Sequence, residues 1–180
     1  MDNKIRLHVL GLSFSQLQSG AYALVLAEDN GPRRIPVVIG VAEAQSIAIC
    51  LEGIRTPRPL THDLFVSFAH AFGVKLTEVF IYKFEDGIFS SELTFTNSDR
   101  TIVIDARTSD AIAIALRTRA PIFTTEDIIR RTGFIIDESP EGNEAAPRME
   151  KTSDDNTRNE SASLIEGYST YFQQLEKELS

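Results

Sequence analysis

Three short stretches of the 180-residue sequence place chemically capable side chains where secondary-structure elements begin or end. They are Glu43 in IGVAEAQ, then Arg58, His62 and Asp63 in RPLTHDL, then Asp105, Arg107, Ser109 and Asp110 in DARTSDAIAIALR, with Arg117 two turns further on. Carboxylates are the oxygen ligands that hard cations prefer, so Glu43, Asp63, Asp105 and Asp110 are the candidates for holding Mg²⁺ or Mn²⁺. Such an ion polarises a phosphate and lowers the pKa of its bound water. An imidazole, with an unperturbed pKa of about 6.5, can move a proton in either direction, which gives His62 a role as general acid or base. Arg58, Arg107 and Arg117 carry planar forks that match phosphate oxygens, and Ser109 adds a hydroxyl. This is the inventory of a metal-assisted phosphodiesterase. Its catalytic candidates are His62, Asp63, Asp105 and Asp110, and its substrate-binding candidates are Arg58, Arg107, Ser109 and Arg117.

The same residues suit a second, non-catalytic reading. Asp110 near a helix start is favourable as a partner of the helix dipole alone. Thr108 or Ser109 reads as a helix N-cap, and Glu43 falls in the first turn of another helix. Alternating arginines and carboxylates also describe an internal network that fixes three element ends, or a small-anion site. Neither H-E-x-x-H, a P-loop, G-x-S-x-G nor a dinucleotide-type glycine turn occurs, so spacing leaves both readings open.

The elements that must position these groups follow from periodicity. IRLHVLGL, GAYALVLAE and RRIPVVIG read as strands, with DNGPRR as the turn between the last two and Pro36 demoting the third to an edge or a bulge. VAEAQSIAICLEG reads as a helix stopped by Gly53. Thr61 reads as the cap of a second helix, whose stripe of Leu64, Phe65, Phe68, Ala69 and Phe72 is expected to face the core. VKLTEVFIYKF and IFSSELTFT alternate as a hairpin about Glu85-Asp86-Gly87, RTIVIDA is a further strand, and TSDAIAIALRT is a helix buried on several sides. A short helix capped by Thr124 or Thr125 closes the series. Strands and helices come in blocks, so the fold expected is α+β, with mixed or antiparallel sheet and a few short helices.

Composition shifts near Asp137. Residues 1–136 hold 14 Lys+Arg against 15 Asp+Glu, whereas residues 137–180 hold 4 against 11. A near-neutral domain (1–136) is therefore expected to be followed by an acidic disordered linker (137–162) and an amphipathic helix (163–180). That helix carries a heptad-like stripe of Ile165, Tyr168, Phe172, Leu175 and Leu179. A near-neutral domain must rely on a local basic cluster for any nucleic-acid contact. Cys50 is the sole cysteine, which excludes an intrachain disulfide and a cysteine metal cluster. No run is long enough for a membrane helix and no signal peptide is evident, so the expected location is the cytoplasm. The terminal stripe points to a homo-oligomer, most simply a dimer.

Taken in order, IPVVIGVAEAQSIAICLEG, RPLTHDL and IDARTSDAIAIALRTRAPIF resemble the bifunctional nuclease domain family, over about residues 4–135. The resemblance implies an α+β fold and cleavage of both DNA and RNA. It places the polar cluster on Glu43, Arg58, His62, Asp63, Asp105, Arg107, Ser109, Asp110 and Arg117. This chain departs from the family pattern at Thr108, where proline is usual. It also offers one C-terminal helix where some members carry a helical hairpin.

Overall fold

Period-two alternation in the sequence becomes a single eight-stranded sheet in the computed structural model, which describes residues 4–14 and 21–135. The acidic stretch and the terminal helix expected beyond Asp137 lie outside the described residues. The strands are β1 (Ile5–Phe14), β2 (Ala21–Glu28), β3 (Arg33–Gly40), β4 (Lys75–Glu85), β5 (Ile88–Thr96), β6 (Thr101–Arg107), β7 (Ile122–Thr124) and β8 (Phe134–Ile135). Their order across the sheet is β6-β5-β4-β7-β1-β2-β3-β8. The β4–β7 pair is parallel, whereas the other neighbours are antiparallel. With helices α1 (Val41–Leu51), α2 (Thr61–Ala71), α3 (Thr108–Thr118) and α4 (Glu126–Thr132), the fold is α+β.

Helix α3 carries the chain from the edge strand β6 across the sheet to β7, and this explains its composition. Seven of its residues are buried, from Thr108 through Ala115, because it packs on β4 and β5 below while α1 and α2 flank it. Leu24, Leu26, Ile35, Ile47, Val79, Ile81, Ile112 and Ile129 close one core between sheet and helices. A buried pair of hydroxyls joins sheet and helix across that layer, Ser91 Oγ to Thr108 Oγ1 at 2.7 Å. Ser91→Ala leaves the Thr108 hydroxyl unpaired, and we expect a loss of about 1–3 kcal/mol, read from the urea unfolding midpoint.

Turn chemistry follows the sequence closely. Asp86 (φ 51°) and Gly87 (φ 79°) are both left-handed, as a two-residue hairpin turn requires. β8 pairs only with Arg33 and Arg34, so at Pro36 the outer side of β3 has no strand partner among the described residues. Thr125 caps α4 by accepting the Ile128 amide at 3.3 Å.

Two expectations change. The caps of α2 and α3 shift back by one residue, to Leu60 and Arg107. At α2 the Asp63 carboxylate accepts the Leu60 amide at 2.8 Å, so a capping hydroxyl from Thr61 is not needed. At α3 the Thr108 hydroxyl is spent on Ser91. The larger change is the α2 stripe, which does not enter the core. No α2 residue is buried, and Leu64, Phe68 and Phe72 are 65%, 62% and 68% exposed. Because α3 fills the space over β4 and β5, α2 packs on α3 from outside and reaches the sheet through Phe65, whose ring edge meets Phe95 at 5.9 Å between centroids.

Candidate active site

Two strand-to-helix junctions build the site. β3 turns into α1 at Gly40, and β6 turns into α3 at Arg107. The sheet curls enough for both junctions and the β4–β5 hairpin to line one cavity of about 240 Å³. Its apolar side includes Gly40, Ile88 and Phe89, and its polar side is Glu43, Arg107 and Ser109. Glu43 Oε2 folds back over Gly40, where even a methyl group would meet it at 2.5 Å.

Arg107 is the hub. Its Nη1 donates to Glu43 Oε1 at 2.9 Å, and its Nε and Nη2 donate to the two oxygens of Asp110 at 2.8 and 3.2 Å. Among the described residues, three of its five N–H groups are engaged and two have no partner. The hydrogen bond to Asp110, with the charges of Asp110 and Glu43, raises the pKa of the guanidinium further. For Asp110, burial pushes the carboxyl up, but hydrogen bonds from Arg107 and His62 outweigh it and hold the group below its ordinary value of 3.8.

Behind Asp110 stands His62. Its Nε2 lies 3.0 Å from Asp110 Oδ1 and its Nδ1 lies 2.8 Å from Ser46 Oγ. An ionised carboxylate only accepts, so Nε2 carries a proton and donates to Asp110, while Nδ1 and the Ser46 hydroxyl share the second hydrogen bond. Ser46 is buried in mid-helix and does not line the cavity, so this serine–histidine–aspartate chain orients Asp110 and gives no exposed nucleophile.

Arg117 lies deeper, with its side chain 7% exposed. Its Nε donates to Asp63 Oδ1 at 2.6 Å, Nη1 to the Ala113 carbonyl at 2.9 Å and Nη2 to the Ser46 carbonyl at 3.3 Å. Asp63 Oδ2 is occupied by the Leu60 amide. Burial raises the Asp63 pKa, but the Leu60 amide and Arg117 more than offset it, leaving the carboxyl below 3.8. One guanidinium thus ties the start of α2 to α1 and α3.

Glu43, His62, Asp63, Arg107, Ser109, Asp110 and Arg117 therefore form one neighbourhood, and two of the expected residues stand apart. Arg58 is exposed and its side chain makes no bond among the described residues. Asp105 accepts the Tyr82 hydroxyl at 3.2 Å. It pairs with Glu92, whereas the neighbouring pair Ala106–Ser91 faces the helices, so Asp105 points to the opposite side of the sheet. Sequence reasoning missed Ser46 and the Ile88–Phe89 wall. Ser46 carried a usable signal, since it lies three residues after Glu43, on the same face of an otherwise apolar helix.

The donor set does not fit an oxygen cage for Mg²⁺ or Mn²⁺. Both oxygens of Asp63 and of Asp110 already accept N–H groups, and Asp105 is on the other face. Among the described residues, no three of His, Cys, Asp and Glu are grouped so as to hold a metal ion. Nor is any helix among the described residues long and apolar enough to cross a membrane.

An uncharacterized protein of Mycobacterium tuberculosis (strain ATCC 25618 / H37Rv) is 41% identical over 144 residues, covering 79% of this chain and 85% of the relative. Bifunctional nuclease 1 of Oryza sativa subsp. japonica is 27% identical over 119 residues, covering 64% of this chain and 36% of the rice protein. The family model described as Bifunctional nuclease domain matches residues 24–137, which include every residue of the cluster. The chain belongs to the bifunctional nuclease domain family.

Proposed function

We propose that the cavity is a phosphodiester-hydrolysing site acting on nucleic acid, in line with the nuclease-related function carried by the family and by the name of the rice relative. The observation that carries this reading is Ser109. It is only 8% exposed, its hydroxyl has no partner among the described residues, and it lines the same cavity as Arg107 and Glu43. Arg34 Nε is the buried side-chain atom left without a partner among the described residues, so the Ser109 hydroxyl is open to the cavity and can donate to a ligand that enters it.

In this mechanism a phosphate oxygen takes the two free N–H groups of Arg107, and a second takes the Ser109 hydroxyl. The start of α3 adds the favourable end of its dipole. Glu43 Oε2, which makes no hydrogen bond among the described residues, accepts the proton of a water attacking phosphorus. The water oxygen bonds to phosphorus, the ester P–O bond breaks, and the leaving oxygen takes a proton from solvent at the open mouth. Asp110 and His62 hold Arg107 in place as positioning residues.

The test is the cleavage rate of end-labelled DNA and RNA by the purified full chain and its Arg107→Ala variant. We expect cleavage by the parent to fall at least about 100-fold in the variant, the scale seen when a preorganised group that stabilises transition-state charge is removed. Equal rates in the two proteins point to a contaminating nuclease and reject the site. For Mg²⁺ or Mn²⁺ to take part, Arg107 must release Glu43 or Asp110, and the loss of cleavage in EDTA is the measurement that reads this out.

A second reading is favoured by the saturation of His62 and Asp63, whose polar atoms all have internal partners. It makes the cluster an internal lock or a small-anion site. Loss of thermal stability in Asp110→Ala, with no nucleic acid bound or cut by the parent, is its signature.

A further inference from the structure

The sheet ends at β6 in a way that a protein acting alone does not favour. Among the described residues no strand pairs with its outer side. Five successive residues, Thr101 to Asp105, are exposed, including the β-branched run Ile102-Val103-Ile104. Edge strands are normally guarded by lysine, proline, a bulge or a covering segment, and β6 has no lysine or proline and pairs with β5 without a register shift.

The exposed edge continues into the exposed helix. Ile102 and Ile104 lie opposite Phe95 and Leu93, which are buried beneath the helices, so both isoleucines point to the helix-covered side. Phe95 in turn carries the Phe65 ring of α2. From there Leu64, Phe68 and, at the C-cap, Phe72 run along one side of α2 at four-residue intervals, with the last two rings tilted against each other at 4.8 Å between centroids. Strand edge and helix stripe form one apolar surface.

We propose that a second copy of this chain covers that surface, joined by antiparallel pairing of β6 with the partner's β6. The register decides the occupant. A two-fold axis at Val103 sets Val103 opposite its counterpart and each Ile102 opposite an Ile104, so every apolar residue of the run meets an apolar one. The flanking pair is Thr101 with Asp105, a hydroxyl that can donate to a carboxylate. A centre at Ile102 sets Asp99 against Asp105, two like charges, and a centre at Ile104 sets Asp105 against Val103. An isologous contact is self-complementary by definition, and the Val103 register meets that demand along the whole run. Because the axis is perpendicular to the sheet, the helix-covered sides coincide. The two α2 helices then meet over the junction and bury their Leu64, Phe68 and Phe72 stripes against each other.

The experiment uses the full chain in multi-angle light scattering at micromolar concentration, where the parent should show twice the chain mass of 20.0 kDa. Val103→Lys and Phe68→Glu alter exposed positions and should give folded monomers, with folding checked by thermal unfolding. A positive arm introduces V103C into a C50S background. Directly opposed residues of antiparallel strands have Cα atoms about 4.5–5.5 Å apart, within reach of a disulfide. This variant should become a covalent dimer on mild oxidation, while V38C in the same background, an exposed position on β3, should not. A monomeric parent overturns the proposal. So does a dimer that persists in V103K and F68E, since the contact then lies elsewhere, in another segment of the chain.

Discussion

Asp63→Ala is expected to lower the stability of the domain by about 3 kcal/mol, the lower end of the cost of removing one partner of a buried ion pair. The loss has two sources. Arg117, 7% exposed, keeps its charge but retains only the Ala113 and Ser46 carbonyls as acceptors. The Leu60 amide at the start of α2 also loses its capping carboxylate. Asp63 is itself about a third exposed, so water compensates in part, and this places the cost at the low end. A drop in Tm of roughly 10 °C should follow for a domain of this size. Asp63→Asn keeps an acceptor for Leu60 and should lose about half as much. Differential scanning calorimetry checks both, and a change in Tm within error for Asp63→Ala contradicts the assignment of Asp63–Arg117 as the lock joining three helices.

The same pair predicts an acid limb. Asp63 and Asp110 are held below their ordinary value of 3.8 in the folded protein. A depressed carboxyl contributes stability that is present above its unfolded value and disappears as pH falls through its folded value. Stability should therefore decline as the pH drops below about 4. In Asp63→Asn the decline should be shallower, since one of the depressed carboxyls no longer titrates. A urea midpoint measured against pH for both proteins shows this directly, and superimposable slopes count against it.

Glu43→Gln is expected to do the reverse, abolishing activity while sparing the fold. Glutamine is isosteric and can still accept from Arg107, but it cannot take a proton from water. Loss of a general base costs about 10²–10⁴-fold in rate. The Glu43–Arg107 pair involves a guanidinium that is mostly exposed, and pairs of that kind contribute at most about 1 kcal/mol. Asp63 and Glu43, two carboxylates in one cluster, are thus separable by experiment. One holds helices and the other faces the cavity.

How far this arrangement could be read from sequence depends on what each signal reports. The β4–β5 hairpin was plain, because alternation and Asp86-Gly87 are local properties of the chain. The α2 stripe was equally plain as a stripe, yet an amphipathic pattern says only that something covers it. In the structure α3 fills the core space, and the stripe is left outside. Asp105 illustrates a different limit. It lies two residues before Arg107, but β6 bends into α3 at Arg107, so the period-two rule that groups them in a strand no longer applies. Ser46 was missed because a small hydroxyl inside an apolar helix looks neutral until a histidine from a second helix meets it at 2.8 Å. Glu43, His62, Asp63, Arg107 and Asp110 were legible because charged residues at element ends were likewise a local signal, whereas their division into cavity and lock depends on the fold.

The central claim is that Glu43, Arg107 and Ser109 line a cavity where phosphodiesters are hydrolysed. Its most direct test is the single-turnover cleavage of one labelled oligonucleotide by the parent chain and by Glu43→Gln, purified in parallel. The account predicts a fall of at least about 100-fold in the cleavage rate, with Tm unchanged and oligonucleotide affinity retained. A Glu43→Gln protein that cuts at the parental rate, or a homogeneous parent that neither binds nor cuts the oligonucleotide, contradicts it.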